Sequence, residues 1–183
     1  MKPEPGSSPV SFLAHVARLP KNGLPVMIEA TEKQRAALAT VHGLEKVERF
    51  VADLVVSGWK RGGVHVSGTV RATIVQSCIV TLEPIEAYID EAVEGIFLPE
   101  SSKLKRPDYV PGGEIILDAE GPDSPETFSG DSIDVGGLAE QFFGLAIDPY
   151  PRKAGVAVGS PDESEEENHG PLYEKLKLLR GKP

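Results

Sequence analysis

Four histidines, one cysteine and two groups of acids are the side chains here with the types to move a proton, attack a carbonyl or hold a metal. His15, His42, His65 and His169 are scattered, and none falls in a Ser-His-Asp order or a His-Glu-x-x-His run. They read as strand, cap and tail residues. Cys78 lies between Ser77 and Ile79 with neither a cation nor a helix start beside it. A reactive thiolate wants one of those, so Cys78 reads as a small core residue. As the only cysteine, it excludes an intramolecular disulfide and a cysteine-based zinc knuckle. Glu83, Glu86, Asp90, Glu91 and Glu94 could mimic a carboxylate pair for acid–base work. In a strand, however, neighbours point to opposite faces, and these acids read as a solvated sheet surface. Gly62-Gly63 and Gly112-Gly113 lack the following Lys-Ser/Thr of a phosphate loop and read as turns. The sequence therefore assigns no catalytic residue, no metal site and no cofactor.

Binding chemistry is better represented. Trp59-Lys60-Arg61 places an indole beside two cations, and Arg71 and Arg152-Lys153 add three more. An indole can stack a base while cations hold phosphate. The competing reading is that Trp59 closes the core at a strand end with its neighbours in water. Residues 1–98 hold ten Lys/Arg against eleven Asp/Glu, and residues 99–183 hold nine against seventeen, so the net charge of −9 sits almost entirely in the second half. That balance argues against a general nucleic-acid coat, because phosphate affinity grows with the number of cationic contacts. A local RNA-binding patch remains compatible with it.

The elements that must position these residues follow from pattern. Ser11–Leu19 and Leu24–Glu29 read as strands around an Asn22-Gly23 turn, the dipeptide of a tight hairpin. Thr31 and Gln34 form a capping box for a helix that Gly43 closes. Val47–Ser57, Val64–Val80 and Ile85–Leu98 alternate with period two, with Val47 sharing a face with Arg49 and Val51. Leu82-Glu83-Pro84 makes the corner between the last two. Val135, Leu138, Phe142 and Leu145 mark a second helix over Ile133–Ile147, with Asp134 as N-cap and Asp148-Pro149 as its stop. Gly136 and Gly137 weaken its first turn. The fold class predicted is α+β: an antiparallel, twisted, barrel-like sheet with two packed helices.

Composition divides the chain. Residues 1–9 read as a disordered start, 10–153 as one domain, and 99–132 within it as a long flexible loop with a possible edge strand at Glu114–Leu117. Residues 154–170 form an acidic disordered linker, and 171–183 a short amphipathic segment carrying Leu172, Leu176 and Leu179 on one face. The first ten residues hold no apolar signal core, and no window is apolar enough to span a bilayer. A soluble cytoplasmic protein, with no membrane partner, is the expectation.

Thr73–Pro84, the acidic strand after it, the Ile133–Glu140 segment and Ile147-Asp148-Pro149-Tyr150-Pro151-Arg152-Lys153 together resemble the YceD family of large ribosomal RNA subunit accumulation proteins. The resemblance extends over roughly residues 10–153 and is greatest to the alphaproteobacterial branch. Its motif positions here are Cys78, Leu82, Pro84, Asp134, Asp148, Pro149 and Pro151. Many members carry Cys-x-x-Cys at the hairpin turn, whereas here Thr81 stands three after Cys78, so the metal implied for those relatives is not implied for this chain. The resemblance implies a role in accumulation or processing of large-subunit ribosomal RNA, and the lack of a catalytic set in the sequence makes a non-enzymatic factor the expectation. Its partner would be precursor RNA, through Trp59, Lys60, Arg61, Arg71, Arg152 and Lys153, or a basic ribosomal protein; no DNA is expected. The rivals are a protein-only scaffold and, further off, a hydrolase or nuclease. Oligomeric state is left open.

Overall fold

The structure, a computed structural model, describes residues 8–102 and 125–155 of the chain, and the unit described below ends at Arg152. Four long antiparallel strands form its centre. Strand β2 (Leu24–Glu29) pairs with β3 (Lys46–Gly58), β3 with β4 (Val64–Ser77), and β4 with β5 (Pro84–Pro99). Strand β4 is central because it pairs with β3 along one edge and β5 along the other, and Val64, Val66, Val70, Ala72 and Ile74 bury one of its sides while their neighbours leave the other wet. Between β2 and β3 runs helix α1 (Glu32–His42). Thr31 accepts from the Gln34 amide, the Gln34 side chain reaches back to Thr31, and Gly43 takes the left-handed cap at φ 65°.

Strand β3 departs from simple alternation. Val47 pairs with Ile74 but Arg49 pairs with Thr73, so Glu48 is an extra residue, a β-bulge. The bulge turns Val47 inward beside Phe50, Ala52, Leu54 and Val56, and leaves Arg49 outward. The expected grouping of Val47 with Arg49 and Val51 is thereby corrected.

The N-terminal hairpin is also corrected. Asn22 and Gly23 do make a turn, with Gly23 at φ 79° and its N–H donating to Pro20 O. The strand before that turn, however, is only β1 (Leu13–His15), and its partner lies far along the chain. Past β5, Glu126–Phe128 forms β6, parallel to β5 at Phe97–Pro99, in a stretch read from the sequence as loop. Then β7 (Ser132–Asp134) pairs with β1 and leads directly into helix α2 (Val135–Leu145). Asp134 caps α2 as expected, accepting from the Gly137 amide, and its Oδ1 also accepts from Phe12 N–H at 2.8 Å.

The main sheet runs in the order β2-β3-β4-β5-β6 and is open: among the described residues β2 and β6 do not pair. The class is α+β, but the barrel-like closure expected from the sequence is absent from the described strands. Both helices lie on one face. Phe143 of α2 meets Phe50 of β3 edge to face at 5.4 Å, and Leu38 of α1 is fully buried in the same core. Gly95 gives α2 its seat on β5, because a Cβ there would press on both Leu138 methyls. Residues 1–7, the Glu114–Leu117 segment, the linker beyond Gly155 and the Leu172–Leu179 segment lie outside the described residues.

Candidate functional site

Because both helices sit on one face, the other face of β2–β5 is bare of any described element. Its cross-strand rows read Met27–Asp53–Thr69–Ala92, Glu29–Val51–Arg71–Asp90, and Arg49–Thr73–Tyr88. Met27 is 71% exposed and Tyr88 67%, positions where an alternating strand would ordinarily carry a polar residue. Between them lies a depression of about 200 Å³ bordered by Arg49 and the Arg71–Asp53 ion pair, whose N–O distance is 2.7 Å. The face carries Glu29, Asp53, Glu86, Asp90 and Glu94 against Lys46, Arg49 and Arg71, an excess of carboxylate. His65 also lies on it, with Nε2 at 3.1 Å from Glu94 Oε1.

A second locality forms where the turn between β4 and β5 meets the end of α2. Cys78 is fully buried just past β4, and its N–H donates to Glu83 O. The Thr81 N–H reaches Cys78 Sγ at 3.5 Å and the Leu82 N–H donates to Cys78 O, which closes a tight knuckle with Leu82 at φ 60°. Two bonds tie the Asp148–Pro151 segment here: Ile79 N–H donates to Pro151 O at 3.0 Å, and Gln76 Nε2 donates to Asp148 O at 2.9 Å. Asp148 Oδ1 accepts from Tyr150 N–H and holds the Asp-Pro-Tyr-Pro turn in shape. Leu82 and Tyr150, 76% and 69% exposed, stand out from this corner.

The motif residues Cys78, Leu82, Pro84, Asp148, Pro149 and Pro151 thus gather at one corner, while Asp134 is the cap of α2 and ties down the Phe12 backbone. The candidate RNA-binding cations do not gather. Trp59, half-buried, and Lys60 lie at the turn from β3 to β4, with Lys60 Nζ 5.9 Å from the indole centroid; the Arg61 backbone belongs to the same short 3-10 turn. Arg71 is halfway along β4, occupied with Asp53, and Arg152 follows Pro151 beyond the other end of β4. Fourteen residues of β4 separate the two turns, a span of roughly 45 Å at about 3.3 Å per residue. Lys153 lies beyond the unit that ends at Arg152. Sequence reasoning passed over Met27, Arg49, Tyr88 and Gln76. The signal was register: two apolar side chains on a polar row, and one amide on the apolar row of β4.

Of the histidines, His42 closes α1 and sits 3.2 Å from Glu140 of α2, edge-on to Phe143. His15 is exposed, 3.8 Å from Asp131. No group of three metal-ligating side chains occurs among the described residues, and none of their helices is long and apolar enough to cross a membrane.

Fold and surfaces define an α+β protein with a one-sided open sheet and an anchored Pro-rich corner. The family is now plain. Residues 66–178, more than half of the chain, match the family described as large ribosomal RNA subunit accumulation protein YceD. The chain belongs to the YceD family. The match begins inside β4 and takes in the knuckle, α2 and the Asp-Pro-Tyr-Pro turn; residues 10–65, included in the resemblance read from the sequence, precede it. The family description ties the chain to accumulation of large-subunit ribosomal RNA. No curated protein and no solved structure matches it.

Proposed function

We propose that this chain is a non-enzymatic cytoplasmic factor that supports accumulation or processing of 23S ribosomal RNA, and that it does so by docking a basic ribosomal protein on its bare sheet face. The observation that carries the reading is that face, where Met27 and Tyr88 project from a surface with more carboxylates than cations. Exposed apolar anchors in an acidic field suit a partner rich in Lys and Arg, drawn in electrostatically and held by the apolar contacts. A second reading, direct contact with precursor RNA, is favoured by the Trp59–Lys60 pair at the turn from β3 to β4.

The test is affinity purification of the tagged chain from cells, with and without ribonuclease. A ribosomal protein that stays bound after ribonuclease is the expected result. Loss of every partner after treatment would transfer the function to RNA binding. Retention of proteins unrelated to the ribosome would favour a scaffold of another kind.

A further inference from the structure

Strand β5 pairs along its whole length on one edge and only at its end on the other. Cys78 N–H donates to Glu83 O, and the register of β4 on β5 is unbroken from Ser77 opposite Pro84 to Val64 opposite Phe97. Backbone groups alternate in direction along an antiparallel strand. Ile85, Ala87, Ile89, Glu91 and Val93 therefore turn their N–H and C=O groups toward β4, while Glu86, Tyr88, Asp90, Ala92 and Glu94 turn theirs away. The far end agrees, since Glu100 N–H donates to Phe128 O on the β6 side. Strand β6 reaches back only to Phe97. The edge from Glu86 to Glu94, roughly 30 Å at about 3.3 Å per residue, has no strand beside it among the described residues. Its outward-turned residues are all exposed.

A bare edge of this length is ordinarily blunted by proline, a bulge or lysine. Here Pro84 and Pro99 stand only at the ends, no bulge interrupts the pairing with β4, and the strand carries no Lys or Arg. It carries Glu86, Asp90, Glu91 and Glu94, all exposed. Glu86, Asp90 and Glu94 put carboxylates on the bare sheet face from the same residues whose backbone points outward. Arg71, opposite Asp90, is held by Asp53, and His65 is the partner of Glu94. These acids reject a second copy of the chain. Pairing two β5 edges antiparallel about Asp90 sets Asp90 against Asp90 and Glu86 against Glu94, and like charges directly opposite are destabilising. The same acids attract a cationic strand.

We infer that an extended segment of a partner protein, with Lys or Arg at alternate positions, adds to the sheet along Glu86–Glu94. Main-chain hydrogen bonds hold the added strand, and its cations, on the bare face, meet Glu86, Asp90 and Glu94. Its other side chains lie beside Ile85, Ala87 and Ile89, half-buried or buried, so apolar types suit them. Nucleic-acid phosphate meets the same carboxylates with like charge. The inference rests on the docking reading in taking the partner to be a basic protein, and it supplies the manner of attachment at the border of the bare face.

The experiment is amide hydrogen exchange on the full chain, read by nuclear magnetic resonance. The probes are an acetylated heptapeptide alternating lysine with valine, the same peptide N-methylated at every backbone nitrogen, and a uridine hexanucleotide. In the free chain the amides of Glu86, Tyr88, Asp90, Ala92 and Glu94 should exchange faster than those of Ala87, Ile89, Glu91 and Val93. Slow exchange there without any peptide would mean that the edge is already covered, and the inference would fall. With the lysine peptide at about ten times its Kd these amides should slow about tenfold, because exchange is left to the unbound fraction. The N-methylated peptide keeps the charge without the donors and should bind at least about tenfold more weakly; equal affinity would reduce the contact to charge alone and overturn strand addition. Equal protection by the nucleotide would assign the edge to RNA and overturn it as well. Ala92→Pro removes an outward N–H and no bond to β4, so it should abolish protection by the peptide. Asp90→Asn with Glu94→Gln keeps the shape of the edge and should weaken the peptide about tenfold; unchanged affinity in this pair would sink the inference whether or not the proline variant folds. If the chain captures a ribosomal protein after ribonuclease while these amides stay unprotected by the peptide, the docking reading survives and this one falls. Protection by the peptide in a chain that captures no ribosomal protein would do the reverse.

Discussion

Single atoms decide several points in this molecule. Replacing Gln76 by Met removes one hydrogen bond, worth about 1 kcal/mol, and also removes an unpaired acceptor whose burial costs about 1–3 kcal/mol. The variant should be as stable as the parent or slightly more so in urea unfolding. A loss above about 2 kcal/mol would mean that an ordered water already completes the amide. Gly136 carries the opposite lesson. Helix propensity alone makes it a weak point, and Ala should gain about 1 kcal/mol there. Yet a Cβ at this position would overlap the Val10 carbonyl oxygen and crowd the Phe12 nitrogen, where the N-terminal segment crosses the start of α2. Overpacking of this kind costs about 1–3 kcal/mol. Gly136→Ala should therefore destabilise the protein in a denaturant melt, and a stabilised variant would show that the crossing yields easily.

At the level of elements, the sequence was legible where signals are local. The capping box of α1, the Asp134 cap of α2 and the period-two strands β3, β4 and β5 all come from residues close in the chain. It was not legible where a partner is remote. The Asn22-Gly23 turn is real, but no neighbour of Leu13 announces that its partner is Asp134. Strand β6 has three residues, too few for a period, and its place is set by pairing with β5. The candidate site was half legible: the motif residues of the Pro-rich corner were visible as types, while the bare face needed the register. Helix α2 is the element on which the arrangement turns, since Phe143 joins it to Phe50 and Asp134 joins it to Phe12. Phe143→Ala should cost about 3–5 kcal/mol, as large-to-small core changes do. Asp134→Ala should cost about 0.5–2 kcal/mol for the cap alone. Amide hydrogen exchange on Asp134→Ala should show faster exchange at Phe12 and Val16, with β3 and β4 unaffected; unchanged protection at Phe12 would mean that β1 is held by other contacts.

For the whole molecule, the question is which partner the charge distribution admits. Met27 and Tyr88 are exposed, so truncating both to Ala should change stability by less than about 0.5 kcal/mol each. Capture of a basic protein should nevertheless weaken about thirtyfold, the effect of losing an anchor worth about 2 kcal/mol. Charge supplies an independent sign. Glu29→Lys with Asp90→Lys makes the bare face cationic. That should slow association with a basic protein, most strongly at low salt, because long-range attraction between exposed charges is screened over about 10 Å at 0.1 M. The same pair of changes should strengthen binding if the partner is RNA, and should steepen its salt dependence. Trp59→Ala separates the surfaces further. It should leave protein capture intact, and it should cost an RNA partner about 1–3 kcal/mol if a base stacks on the indole. Among these variants the charge reversal gives opposite signs for the two partners when binding is measured at two salt concentrations, so the one-sided sheet is assigned to a single class of ligand by the direction of that change.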